Sequence, residues 1–490
     1  MTPSTHNTRL TELAQRAHDL VQANQPAAAG RFHRLAGETA VATLQYDAAL
    51  THFSQALDMT PDSQNELRYA LLLARSTVLA HLGRRNMQEM DLISLATLAN
   101  SMDDDRRRAE VAAHMATYKL DSGAFQEAIS IVQLGARLAA LTGAEQELSL
   151  LEQIWGQALL RQGAFAQAGI KLKSALARAA ALNWRSGKAD SLRILGMLAL
   201  EQSEYAQARS QYEAALAIYA DIDDQAGQAN ILNNLANVAH AQGDFSAAQA
   251  YWEAAKPINE TLGDRVTLCR ILVSQSAIYI DVGYDEQARQ HLETALAVSR
   301  EIGLRFGEAL ANINLALAHH DRGDLAAAQT HAQAGMALAQ AMGSRRLEGY
   351  ALAALGKVLS RQGNLKAAAD HYWQALALWE ELAQPGLAVE ARAGLAQVAL
   401  AQQNQATAVG HVESLIDHLA NGAGVDGTDA PFDIYMNCYR VLDAAQDARA
   451  ASWLHTARDL LQTRAAAILD EAMRASFVQK VTTQHPELAG

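Results

Sequence analysis

Residues 231–264 read ILNNLANVAHAQGDFSAAQAYWEAAKPINETLGD. Leu232, Leu235, Ala236 and Ala239 recur at helical spacing and form the apolar stripe of a first helix. Gly243-Asp244 breaks that helix, because glycine readily takes the left-handed cap conformation. A second helix follows and buries Phe245, Ala248, Trp252 and Ala255. Gly263 ends it, and Asp264 is placed to cap the next helix. The stretch is one helix–turn–helix unit.

The unit recurs on a strict ruler. Gly123, Gly163, Ser203, Gly243, Gly283, Gly323, Gly363 and Gln403 stand forty residues apart, with an alanine five residues after each, from Ala128 and Ala168 to Ala368 and Ala408. Outside this span, Gly37, Tyr46, Ala49, Phe53 and Ala56 mark a first unit, and Gly83 anchors a second. Cys438, Ala450, Leu454 and Ala457 fit an eleventh. Self-similarity at such a period indicates stacked units, not a globule around one pocket. The pattern resembles the tetratricopeptide repeat (TPR), whose usual unit is 34 residues; the six extra residues are expected to lengthen the helices and the joins. The fold class expected is therefore all-α: a right-handed TPR superhelix of about eleven helix pairs with capping helices. The expected divisions are a capping helix and loose end at 1–27, ten repeats at 28–420, a glycine-rich loop at 421–431, and a last repeat with a closing helix at 432–490. Ala465 to Val481 reads as that closing helix. Pro257, inside a second helix, is expected to bend the superhelix locally.

Composition narrows the function. Half the residues are apolar, 6% are aromatic, and the net charge is -13. That balance argues against an electrostatic grip on nucleic acid or anionic lipid. The first residues carry neither a basic segment nor an apolar core of a signal peptide, and no run of about eighteen apolar residues occurs. Cys269 and Cys438 read as buried free thiols. A cytoplasmic protein, with no partner in nucleic acid or membrane, is expected.

Catalytic motifs are missing. Gly187-Lys188 and Gly356-Lys357 have Leu182 and Ala351 where a phosphate-binding loop needs glycine. No Cys-x-x-Cys, His-Glu-x-x-His or Gly-x-Ser-x-Gly occurs. His319 and His320 point about 100° apart on a helix and read as a solvated helix end rather than metal ligands. Asp103-Asp104-Asp105 and Arg106-Arg107-Arg108 open a first helix, where acids favour the dipole and the arginines can pair with the opposite face of the preceding repeat. No enzyme, cofactor or metal is expected.

Function is then expected on the surface that stacking leaves open. The TPR resemblance implies that the first helices line the concave side, with four template positions turned inward. The 3-4-3 spacing itself shows only that these positions share one face. In the unit containing Gly243 they are Asn230, Asn233, Asn237 and His240. Neighbouring units add Arg193 and Met197, then Arg270, Val273 and Ile280, then Ile313, Leu317, His320 and Tyr350. Donors beside an apolar strip suit a peptide, a protein segment or a mid-sized small molecule.

The two ends are more specific. RFHRLAGE at 31–38, ALDMTP at 56–61 and ELRYALLLAR at 66–75 are similar to the entry of one class of bacterial TPR array. ARDLLQ at 457–462 and AMRASFV at 472–478 are similar to its close. Such arrays are the sensor arms of signal-transduction ATPases with numerous domains (STAND proteins). The resemblance implies an arm that meets an inducer and controls an ATPase module, although this sequence carries neither that module nor an effector. The alternative is a stand-alone TPR adaptor.

The segment 421–431 has three glycines and only Val425 as an apolar anchor, so it has little to bury. Limited proteolysis is expected to nick it before any other internal site. Cleavage at the Gly243 turn first would contradict this.

Overall fold

The structure, a computed structural model, describes residues 3–262, 265–420, 428 and 430–489. Most of the glycine-rich segment, 421–427 and 429, therefore lies outside the described residues. Among those residues there are 24 α-helices and no strand. Eleven antiparallel pairs run from Pro26–Ala42 with Tyr46–Asp58 to Pro431–Ala444 with Ala450–Ala467. Pro3–Gln22 precedes them and Glu471–Gln484 follows. The chain is a TPR-like superhelical solenoid. Its apolar interior is a string of clusters shared between neighbours.

The ruler works through backbone conformation. Every ruler position has a positive φ, including the stand-ins Ser203 (φ 59) and Gln403 (φ 61). A second ruler, half a unit out of phase, closes the other turns: Asp103, Gly143, Asn183, Asp223, Gly303, Gly343 and Ala383 are all left-handed. The alanines five residues after the first ruler, such as Ala128, Ala248 and Ala408, are fully buried where two helices cross. Gly196 serves the same close approach. A Cβ there would stand 2.6 Å from the Tyr212 ring.

The acidic and basic triplets behave as expected and more. Asp104 caps its helix, accepting from the Arg106 and Arg107 amides at 3.0 and 3.1 Å. Arg107 pairs back to Glu66, while Arg106 pairs forward to Glu147. Cys269 and Cys438 are buried and free. No described helix is long and apolar enough to cross a membrane. The helix Phe245–Leu262 runs on through Pro257. It scarcely touches the following helix Arg265–Asp281, although second helices elsewhere pack broadly on the next unit.

Successive turns of the superhelix touch along a seam. Arg85 Nε donates to the Ile302 carbonyl at 3.1 Å. Ser344 Oγ donates to the Arg161 carbonyl at 3.3 Å and Gln384 Nε2 to the Glu201 carbonyl at 2.7 Å, in both cases across 183 residues. The seam continues into the C-terminus, where Ser246 Oγ accepts from the Leu469 amide at 3.0 Å and donates to the Ala467 carbonyl at 3.2 Å.

This corrects the expected closing helix. Residues 465–467 complete the helix Ala450–Ala467, the backbone turns extended at Ile468, and Asp470 caps a new helix from Glu471 by accepting from the Met473 amide at 2.7 Å. The new helix does not merely cover the last repeat. Phe477 meets Phe245 edge-on at 5.9 Å, and Lys480 reaches the Ile280 carbonyl and the Asp321 carboxylate, the latter at 2.6 Å. Burial alone would raise the Asp321 carboxyl, but His320 and Lys480 outweigh it and hold the group well below the usual carboxylate range.

Two predictions follow from these contacts. Gly83 and Gly363 share a left-handed φ, so alanine strains either turn by about 1–2 kcal/mol. A Cβ on Gly83 would stand 2.7 Å from the Ile302 Cα, whereas nothing lies within 4 Å at Gly363. Gly83→Ala should therefore lower stability in urea by about 1–3 kcal/mol more than Gly363→Ala does. Equal losses would remove the seam from solution. The Asp321 and Lys480 side chains are each 13% exposed, so Asp321→Asn leaves a buried ammonium with only the Ile280 carbonyl and the more distant Asp285 carboxylate at 3.9 Å, and should cost about 1–3 kcal/mol at pH 7. A depressed carboxyl contributes stability above its unfolded pKa of about 4 and loses it as pH falls further. The gap between wild type and variant should shrink below about pH 4.

Candidate ligand-binding face

The first helices of successive units approach one another: Asp105–Asp121 touches Glu145–Gln162, and Arg265–Asp281 touches Arg305–Arg322. The second helices make no comparable contacts. In a curved stack the crowded layer is the inside, so the first helices form the concave wall.

Most of the expected positions lie half-buried along this wall. Arg193 stands 3.6 Å from Asp190 and contacts the Met197 sulfur at 3.8 Å. Asp190 in turn accepts from the Tyr219 hydroxyl at 2.7 Å. Asn230 spends its amide on the Ala226 carbonyl one turn back, at 3.0 Å. Asn237 is half-buried on the same face. His240 Nε2 meets Asp281 of the next unit at 2.7 Å. Arg270 is exposed and Leu317 half-buried. The Tyr350 hydroxyl accepts from Arg346 at 2.9 Å, and its ring meets Trp379 edge-on at 5.2 Å.

Three expectations are corrected. Asn233 is 5% exposed and its Oδ1 accepts from the Trp252 indole at 3.0 Å, so it is a core residue satisfying a buried donor. Ile313 is 2% exposed and packs in the apolar cluster beneath Gly335; Val273 and Ile280 are buried likewise. His319 and His320 are not a solvated end. His319 stacks on His331 at 5.4 Å, and His320, 13% exposed, holds Asp321 at 3.0 Å. Among the described residues no group of three potential metal ligands gathers there or elsewhere.

The concave interior holds further charged groups. Lys357 pairs with Asp433 at 2.8 Å, and His485 meets the same carboxylate at 3.3 Å. Burial opposes the Asp433 charge, but Lys357 and His485 hold that carboxyl far below its ordinary range. Nearer the middle, Arg161 lies over the Phe306 ring at 4.1 Å and Arg346 pairs with Glu201 across the seam. Burial, and then the charges of Arg270, Arg346 and Arg193, push the Arg161 guanidinium down to about 9. The wholly buried Tyr212 hydroxyl has no hydrogen-bond partner among the described residues. Such an unmade bond costs about 1–3 kcal/mol. Lys357 occupies the template position of Asn237 in its own unit, a signal the sequence carries but the expected set left out. Arg161 and Arg346 arrive from helix ends across the seam, which no unit pattern encodes.

Tetratricopeptide-repeat models match residues 227–301 and 350–386, so these stretches are TPR units. No curated protein matches the sequence. Among solved structures, the chain is similar to a STAND protein with a tetratricopeptide repeat sensor from Pyrococcus horikoshii, at 14% identity and TM-score 0.45 over 88% of this chain and 71% of that one. It is also similar to a Rap protein complexed with competence and sporulation factor (15%, TM-score 0.40, 78% of this chain and 98% of that one). Yeast Tom70 aligns at 13% identity and TM-score 0.34 over 99% and 98%. All three scores lie under 0.5, so the functional reading rests on the chain's own residues.

Proposed function

We propose that this chain is a non-enzymatic sensor domain that recognises a peptide, protein or small-molecule inducer on the concave wall of its superhelix. The observation that carries the reading is the half-buried polar strip of Arg193, Asn237, His240 and Tyr350, flanked by Met197 and Leu317. Packing leaves this strip facing the interior, and a bound chain would find donors beside apolar contacts there. The resemblance of residues 31–38, 66–75 and 472–478 to STAND sensor arms supports reading the domain as the receptor end of a signalling ATPase. An in-frame nucleotide-binding module in the coding region would place it in that setting, and a separate short gene would favour the adaptor.

The test uses a displayed library of random peptides selected on the whole chain. Asn237→Ala and Arg193→Ala should each weaken the selected peptide by about five- to a hundred-fold, as expected for a hydrogen-bond partner lost to a ligand. Asn237→Ala should melt within about 0.5 kcal/mol of wild type. Leu235→Ala should do the reverse, losing several kcal/mol through the cavity it leaves. Variants on the strip that bind normally would move recognition to the convex face or the ends.

A further inference from the structure

We propose that the middle of the superhelix contains a site for an oxyanion, phosphoryl or carboxylate, held by Arg161 with Arg193, Arg270, Arg346 and the Tyr212 hydroxyl. The inference rests on the reading that ligands enter the concave interior, and it names the chemistry received there.

Four arginines come from four separate first helices, Glu145–Gln162, Arg185–Glu201, Arg265–Asp281 and Arg345–Arg361. The seam gathers them, since Ser344 beside Arg346 is bonded to the Arg161 carbonyl itself. Arg193 is answered by Asp190 and Arg346 by Glu201. Arg161 has the face of Phe306 and, among the described residues, no carboxylate within ion-pair distance. Its guanidinium is half-buried and repelled by the other three. The acid whose charge reaches it, Asp121, is ion-paired with Arg85.

The Tyr212 hydroxyl is an independent sign. It is fully buried, lacks a hydrogen-bond partner among the described residues, and lies near enough to Arg193 and Arg161 to feel both charges. At Arg161 and Tyr212 donors stand without an ion-paired carboxylate or a hydrogen-bond acceptor, while the nearby Glu201 carboxylate is taken up by Arg346. A phosphoryl or carboxylate group supplies several acceptors and the missing negative charge, and the guanidinium fork matches either geometry.

The test is thermal shift and calorimetry on the whole chain with inorganic phosphate, pyrophosphate, succinate and citrate, each against sodium chloride at matched ionic strength. At least one oxyanion should give a saturable shift that chloride does not. Which pair succeeds separates phosphoryl from carboxylate. Arg161→Gln should weaken that binding by about tenfold or more, while the free variant melts no lower than wild type because repulsion is relieved. Tyr212→Phe, which keeps the ring against Gly196, should weaken it by a smaller factor and so checks the site independently. No saturable shift with any of the four, or a shift that survives both substitutions, overturns the proposal. Peptide selection that still depends on Asn237 under those outcomes would leave the concave-face reading standing and remove the oxyanion site alone.

Discussion

Everything in this molecule depends on reversing the chain about every twenty residues at a left-handed residue. The reversal fixes helix length at 17 or 18 residues through most of the stack. Units of equal height stack with a constant step, and a constant step gives a uniform superhelix. Serine and glutamine keep the conformation at 203 and 403 despite its cost, because the bonds on either side over-determine it. The Ser203 amide bonds to the Leu200 carbonyl and the Glu204 amide to the Ala199 carbonyl.

Uniform pitch is what lets distant parts of the sequence meet. The carbonyls of Arg161 and Glu201 find donors across the same separation because each turn repeats the last. Closure then concentrates charge. Pairs such as Arg346 with Glu201 and Lys480 with Asp321 form between helices that share no unit. Their low-dielectric setting makes them strong when matched and costly when not. The interior is thus a sequence of local balances, with Arg161 the place where the balance is left open.

Much of the fold was legible because repetition amplifies a weak local signal. One Gly-Asp turn says little, whereas eight turns on a ruler define the stack. The second ruler was missed because Asn183, Asp223 and Ala383 carry no common residue type, although all three are left-handed. The functional face was legible only in outline. Spacing of 3-4-3 shows that residues share a face but not how the helix is rolled, and a small roll put Asn233 under Trp252 and Ile313 under Gly335. Residues brought together by superhelical pitch, Arg161 and Arg346 above all, leave no trace in a repeat pattern. The break at Ile468 depended on Asp470 capping, a signal masked by the apolar spacing around it.

The seam also has an evolutionary consequence. Repeat arrays commonly grow and shrink by gaining or losing whole units, since an open stack needs only matching neighbours. Here the loss of one unit between Glu201 and Arg346 would slide the upper turn forward by one step. Arg161 would meet Gln384, another donor to its carbonyl, but Glu201 would lose Arg346 and face a different residue. Copy number in this chain is therefore pinned by pairs that are individual to their units, and duplication must be followed by re-matching along a whole turn before the tube closes again.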